Sequence, residues 1–176
     1  MRLRQMAVAF LYNDNQDFLF LQKDSNSPFL PGHLVPIGGH IEGHEINDPM
    51  KACLREIGEE TGLLESSINN LALRYIVLRV KDNKEIRIQY VYFGDVAKEH
   101  TLVESEEGQL SWINGKKIID LQVSATTKEI INHYFTYRKS TDQVYVGSMK
   151  DFEGEPQITW SILEDWEQQS GILIKD

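Results

Sequence analysis

The sequence has few of the features that form disulfides or cross membranes. It contains a single cysteine in 176 residues, which excludes a disulfide framework and suits a reducing compartment. No apolar run approaches the roughly 20 residues that span a bilayer. The first residues also lack the apolar core of a signal peptide. We therefore expect a cytoplasmic protein with no membrane partner.

Positive charge is also scarce, with 18 Lys and Arg against 27 Asp and Glu and a net charge of −9. Because no basic excess is present to meet a phosphate backbone, we expect no nucleic-acid polymer as a partner. A small phosphorylated substrate is not excluded, since a bound metal ion can join carboxylates to phosphate. The 41% hydrophobic and 26% charged content is typical of a globular domain, and the length suffices for one core.

The order of apolar runs and turn residues predicts an α/β chain. Strands are expected first, then a helix, a long strand pair, a short strand and turn, a second helix, and two final strands. The ranges are 5–12 and 18–23 for the first strands, 71–80 and 85–96 for the long pair, 110–113 for the short strand, 117–121 for a short helix, 126–138 for the second helix, and 144–149 and 158–163 for the last strands.

The first helix has clear ends. Asp48 followed by Pro49 is typical of a helix start, and Gly62 is typical of a left-handed C-cap. Between them an apolar stripe for the core recurs at helical spacing: Met50, Cys53, Leu54 and Ile57. Cys53 is therefore interpreted as a buried small side chain rather than a nucleophile.

Three glutamates lie on the last turns of this helix. Glu56 and Glu60 are four residues apart and Glu59 is three from Glu56, so their charges repel. A helix C-terminus disfavours anions further. A divalent cation with oxygen ligands would offset this repulsion. The alternative is a solvated acidic face on which Arg55 pairs with Glu59.

The stretch around this helix resembles the signature of the Nudix family, Gly-x5-Glu-x7-Arg-Glu-U-x-Glu-Glu-x-Gly-U, where U is a bulky aliphatic residue. The matching residues are Gly39, Glu45, Arg55, Glu56, Ile57, Glu59, Glu60, Gly62 and Leu63. One departure is that nine residues, rather than seven, separate Glu45 from Arg55. The extra pair precedes the helix, so the glutamate register is unchanged, but the pairing of Glu45 with Arg55 that the family shows must be tested.

The resemblance implies Mg²⁺, or Mn²⁺, held by Glu56 and Glu60, with the backbone carbonyl near Gly39 completing coordination. It also implies that Glu59 is a ligand or the general base and that Arg55 orients these carboxylates through Glu45. Many members supply a further glutamate ahead of a Trp-containing strand. Three residues before Trp112 qualify, and Glu107 matches best, with Glu104 and Glu106 as the others; an acidic solvated loop is the alternative.

The implied fold is the Nudix α/β/α sandwich, a mixed β-sheet between helices, over residues 1–138. Residues 139–176 would form a C-terminal β extension that extends the sheet, covers the site or builds a homodimer interface. The implied function is hydrolysis of a nucleoside diphosphate-linked compound. A MutT-like activity that releases pyrophosphate from a nucleoside triphosphate such as 8-oxo-dGTP is favoured. ADP-ribose, nucleotide-sugar or dinucleoside polyphosphate hydrolysis is the alternative, and a non-enzymatic nucleotide sensor is a third reading.

Other polar residues keep two interpretations each, and no substrate-binding residue is assigned. The loop 24–34 either closes over a ligand or is a plain surface connection. Arg74, Arg79 and Arg87 either reach phosphate oxygens or are solvated on their strands. Three histidines near the glycines have spacings that match no common zinc pattern, so we do not expect zinc at His33, His40 and His44.

Overall fold

The computed structural model of the protein describes residues 1–97, 101–103, 105, 107–137 and 142–165. Over these residues it has nine strands and two α-helices: β1 (Arg2–Tyr12), β2 (Asp17–Lys23), β3 (Leu34–Val35), β4 (Ile37–His40), α1 (Pro49–Thr61), β5 (Ile68–Lys81), β6 (Glu85–Val96), β7 (Gly108–Asn114), α2 (Ala125–Tyr137), β8 (Val144–Phe152) and β9 (Glu155–Leu163). The predicted short helix is a 3-10 segment, Gly115–Asp120. None of the helices in these ranges is long and apolar enough to span a membrane.

A single mixed sheet forms the centre of the fold. Its main path runs β3-β2-β1-β6-β5-β8-β9, while β4 pairs with β1 and β7 pairs with β2. The β1–β6 and β5–β8 pairs are parallel and the other pairs are antiparallel. One helix covers each face, since buried residues of α1 and α2 belong to separate clusters. This confirms the predicted α/β/α sandwich with a mixed sheet.

Strand β1 shows how the sequence produces two covered faces. Ala7, Ala9 and Leu11 belong to the cluster under α1, whereas Val8 and Phe10 belong to the cluster under α2. Successive side chains point to opposite faces, so a strand buried on both sides reads as a continuous apolar run. All five residues are at most 7% exposed.

Helix α1 begins and ends as predicted, but its buried face differs. Asp48 caps it by accepting from Lys51 N at 3.2 Å, and Gly62 takes a left-handed φ of 74°. Cys53 is fully buried, which matches its interpretation as a core side chain. Met50 is instead 36% exposed, so the predicted apolar stripe is wrong in the first turn. Burial shifts toward the last turn, where Glu60 is only 8% exposed, because this turn lies beside a cavity described below.

The last two strands extend the sheet beyond β5. An aromatic cluster joins them to the rest of the fold: the Tyr75 ring lies 5.7 Å from Tyr145 and 5.0 Å from Trp160, and His133 of α2 lies 4.8 Å from Trp160. The predicted domain boundary at residues 138 and 139 lies outside the described residues, as does Trp166, so the division into domain and extension stays a prediction.

Candidate active site

Two glycines of β4 allow α1 to approach the sheet closely. Gly38 pairs with Val8 and Gly39 with Ala7 across the β1–β4 ladder. A Cβ at Gly38 would lie 2.3 Å from the Ala7 carbonyl oxygen, and its φ of 142° is one that side chains rarely adopt. A Cβ at Gly39 would lie 2.6 Å from a Glu56 carboxylate oxygen. Glycine at position 39 therefore makes room for Glu56 of α1, whereas glycine at position 38 allows the close approach of β4 to β1.

Glu60 is the more deeply placed of these glutamates. Its Oε2 accepts a hydrogen bond from Gly38 N at 2.9 Å. The pKa of Glu60 is raised to about 7, chiefly by burial; the Gly38 N–H and the Lys23 charge lower it, and the negative charges of Glu107 and Glu56 raise it. A carboxylate kept in this position at neutral pH is one that a cation would stabilise.

Glu56 shares this environment. Burial raises its pKa, the Arg55 hydrogen bond and charge lower it, and the charges of Glu59 and Glu107 raise it. Its side chain is 15% exposed and faces the same cavity as Glu60. Both residues therefore lie beside a cavity at Gly38 and Gly39, rather than pointing apart into bulk water.

Arg55 connects the carboxylates of the loop and the helix. Its Nε donates to Glu45 Oε1 at 2.9 Å and its Nη2 donates to Glu45 Oε2 at 3.0 Å, a bidentate pair. Nη2 also donates to the His40 carbonyl at 3.0 Å. Nη1 donates to Glu56 Oε1 at 2.9 Å and to Glu59 Oε2 at 3.0 Å. The two-residue insertion therefore leaves the Glu45–Arg55 pair intact, and Arg55 is more than a surface partner of Glu59.

Glu45 is the fixed end of this network. It is 1% exposed, and the Arg55 hydrogen bonds lower its pKa to about 2, with burial opposing them. A backbone N–H from Glu42 also donates to Glu45 Oε2 at 3.1 Å. A buried carboxylate held in this way fixes the guanidinium that it pairs with.

The other predicted site residues divide between cavity and surface. Glu107 lines the cavity and pairs with Lys23, and its side chain is 59% exposed. Glu59 is 60% exposed, is held by Arg55, and is not among the residues that line the cavity. Glu104 and Glu106 lie outside the described residues. The structure thus gathers Glu56, Glu60, Glu107 and Gly39, but not Glu59.

The donors suit a divalent cation in kind. They are carboxylate oxygens, the ligands that Mg²⁺ prefers, and their mutual repulsion is what a cation would relieve. Within the described ranges no set of three or more His, Cys, Asp or Glu side chains is positioned to hold a metal ion. Glu56, Glu60 and Glu107 therefore line one cavity, but a metal site with three of these carboxylates requires side-chain movement. None of the histidines of these ranges belongs to such a set, and the Nδ1 atom of His33 lies 3.2 Å from Nε2 of Gln122.

The cavity has a volume of about 1050 Å³ and extends from the glutamates across the sheet face. The loop 24–34 borders it through Asp24 and residues 26–30, so this loop is more than a distant surface connection. Arg79 and Arg87 line the cavity, and Arg87 is only 7% exposed, which overturns its interpretation as a solvated strand arginine. Arg74 is not among the lining residues.

Sequence reasoning missed three basic residues that line the cavity, Arg4, Lys23 and Lys81. A signal for Arg4 was present, because Arg4, Met6 and Val8 alternate along β1 and therefore share one face.

Comparisons with known proteins agree with this geometry. The family model of the NUDIX domain matches residues 1–134. No curated protein matches the sequence. Similar solved structures include a MutT protein from Bacillus halodurans, 20% identical over 90% of this chain and 97% of that one with a TM-score of 0.67. A MutT protein from Methanosarcina mazei Go1 is 22% identical over 80% and 97%, with a TM-score of 0.65. An Ap4A hydrolase from C. elegans is 18% identical over 78% and 98%, with a TM-score of 0.64.

The chain belongs to the Nudix family. It is accordingly a pyrophosphohydrolase, an enzyme that hydrolyses pyrophosphate-containing compounds, and enzymes of this family generally use divalent metals, usually Mg²⁺. The three solved structures named above are each below 25% identical and therefore show the fold rather than the substrate.

Proposed function

We propose that the chain hydrolyses a nucleoside triphosphate to the monophosphate and pyrophosphate, with Mg²⁺ held by Glu56 and Glu60. The observation that carries this proposal is the placement of two carboxylates of raised pKa in one cavity beside two glycines. When bound, Mg²⁺ would neutralise phosphate oxygens and lower the pKa of the attacking water. Mn²⁺ would fit the same ligands.

The chain's own residues would position the reactants. The Gly38 N–H holds Glu60 Oε2, so Glu60 reaches the cation through its other oxygen. Arg55 holds Glu56 and Glu59 against Glu45 and thereby orients both carboxylates. The carbonyl near Gly39 would complete the coordination.

The general base is assigned to one of two exposed glutamates. Glu59 and Glu107 are each about three-fifths exposed and can accept a proton from water. Glu107 already lines the cavity, whereas Glu59 would have to leave Arg55 to enter it. We therefore favour Glu107 as base or further ligand and keep Glu59 as the alternative that the family resemblance implies.

A second substrate class is supported by the basic part of the cavity. ADP-ribose, a nucleotide sugar or a dinucleoside polyphosphate would place a second group beyond the pyrophosphate, and Arg79 and Arg87 lie on that side. A nucleotide sensor without activity is not favoured, because the family is one of pyrophosphohydrolases. It would not require Glu56, Glu59 and Glu60 together, all of which are present.

The deciding experiment is a nucleotide panel assayed with Mg²⁺ and scored for products. Pyrophosphate released from 8-oxo-dGTP supports the proposed nucleoside triphosphate pyrophosphohydrolase. Two monophosphates released from ADP-ribose or a nucleotide sugar support the second substrate class. Glu107→Gln should lower turnover about 100-fold if this residue is the base. Wild-type rates in Glu107→Gln would transfer that role to Glu59, and no hydrolysis of any compound in the panel would contradict the proposal.

A further inference from the structure

The cavity contains a row of three arginines on three neighbouring strands. In the sheet register Arg4 of β1 is directly opposite Arg87 of β6, and Arg87 is directly opposite Arg79 of β5. All three line the cavity, so their side chains share one face of the sheet. Like charges directly opposite each other destabilise a sheet, and a buried cation needs a partner. We call these three residues the arginine row.

The protein supplies one carboxylate to this row. Glu85 accepts from Arg87 Nε at 2.6 Å and lies 3.5 Å from Arg4 Nε. Among the residues that the structure describes, Arg79 makes no hydrogen bond or ion pair, although it is half-buried. The adjacent register row adds another cation at the cavity, Lys81, opposite Glu85. The row therefore has a surplus of positive charge in a chain whose net charge is −9.

The arginine row is separate from the carboxylates that would bind the metal. Gly38, which contacts Glu60, pairs with Val8, and Val8 is four residues along β1 from Arg4. At about 3.3 Å per residue this separation is roughly 13 Å along the strand. Met6 and Val8 line the cavity between the two ends. One phosphate group cannot reach both ends, and the intervening surface suits a sugar or base.

We propose that the arginine row is a second anion-binding subsite, which holds a phosphate group of the substrate distant from the bond that is cleaved. Guanidinium groups form two parallel hydrogen bonds with a phosphate, and within the described ranges no hydrogen bond or ion pair occupies Arg79. A purine edge would need one arginine, whereas three adjacent ones with a single carboxylate match a doubly charged group. This inference rests on the proposed hydrolysis at the acidic end of the cavity, and within it favours the second substrate class, a pyrophosphate compound with an additional phosphate, over a simple nucleoside triphosphate.

The test compares the wild-type protein with Arg79→Gln. Arg79 is the suitable target because its replacement removes no hydrogen bond from a carboxylate, whereas Arg87→Gln would remove the hydrogen bond that Arg87 donates to Glu85. The matched control is Arg74→Gln, which changes an arginine on the same strand outside the cavity. Arg79→Lys is included so that a folded variant is available should Arg79→Gln fail to fold; it keeps the charge but cannot form the two parallel bonds.

The first measurement is kcat/KM with Mg²⁺ for ADP-ribose and for its 2′-phosphate. The wild type should prefer the phosphorylated compound about 10- to 100-fold, chiefly through KM. Arg79→Gln should lose this preference, Arg79→Lys should reduce it, and Arg74→Gln should keep it. Equal kcat/KM for the two compounds, with both lowered alike in Arg79→Gln, would overturn the phosphate assignment in favour of a base contact.

The second measurement does not require activity. In EDTA, inorganic phosphate is titrated while the arginine Nε–H signals are followed by NMR. Saturable shifts in the wild type and Arg74→Gln that are lost in Arg79→Gln support the subsite, even if no compound is hydrolysed and the proposed function fails. Absence of a saturable shift overturns the subsite, even if the enzyme hydrolyses nucleotides.

Discussion

Replacing Glu60 by Gln should stabilise the metal-free protein while removing its turnover. Glu60 is 8% exposed, and burial raises its pKa from 4.5 to about 7. At about 1.4 kcal/mol per pKa unit, ionising this carboxyl costs the folded state about 3 kcal/mol above pH 7. Glutamine has a similar size and its oxygen can still accept the Gly38 N–H. We therefore expect a gain of about 3 kcal/mol at pH 8, on the order of 5–10 °C in Tm for a chain of this length.

The sign of the pH dependence follows from the two pKa values of Glu60. The unfolded carboxyl titrates near 4.5 and the folded one near 7, so between these values the folded state holds more protons. The contribution of this group to stability is therefore complete below pH 4.5 and is lost as the pH rises to 7. The advantage of Glu60→Gln should shrink to about 1 kcal/mol at pH 5 and vanish near pH 4.

The assay is urea unfolding in EDTA at pH 5 and pH 8, followed by thermal melting with and without Mg²⁺. Glu65→Gln is the matched control, because Glu65 is exposed just beyond the helix and does not line the cavity. Mg²⁺ should raise the Tm of the wild type and of Glu65→Gln but not of Glu60→Gln. An ion that binds the folded state raises its stability, and Glu60→Gln removes a carboxylate that would bind it. A Glu60→Gln protein that is less stable than the wild type at pH 8, or that still responds to Mg²⁺, would refute the reasoning.

Three further predictions concern the framework around the site. Glu45→Gln should lower Tm and turnover because Arg55 loses its bidentate partner. Because the pKa of Glu45 is lowered to about 2, the Tm difference should be fully present above pH 4.5 and disappear toward pH 2, which thermal melts across this range test. Gly147→Ala should cost about 1–3 kcal/mol in urea unfolding, because its Cβ would lie 2.5 Å from the Trp160 ring, and an unchanged midpoint would contradict the packing. Gly58→Ala in the C-terminal half of α1 should instead raise the free energy of unfolding by about 0.5–1 kcal/mol, because its Cβ would contact only the Leu63 carbonyl, at 3.8 Å. A loss of stability would show that the helix requires glycine there.

Local signals predicted the parts of the fold that depend on local chemistry. Asp48, Pro49 and Gly62 fixed the ends of α1 to the residue, because caps are formed by neighbours in sequence. The family pattern implied a pair of Glu45 with Arg55, but the longer spacing left it open; the structure shows the bidentate pair, so the loop accommodates the two extra residues.

Features that depend on which strands are neighbours were not predictable in the same way. Arg4, Arg87 and Arg79 are far apart in sequence, and they form one row only because β6 lies between β1 and β5. The prediction that Met50 is buried was wrong for a related reason, since an apolar period gives the face of a residue but not whether another element covers it. Strand order is a tertiary property. The periodicity of a strand therefore predicts which face of the sheet a side chain lies on, but not which residues of other strands lie beside it.

The opposite charges at the two ends of the cavity separate chemistry from substrate selection. The acidic end is built by α1 against the β4 glycines, whereas the basic end is built by β1, β6 and β5. Because different elements hold them, a change at one end leaves the geometry of the other in place. A substrate lying along β1 would therefore meet the acidic end, then Val8 and Met6, and then the arginine row in that order. Changes at Glu60 should consequently act on kcat, and changes at Arg79 should act on KM and on the choice between substrates that share the same scissile bond.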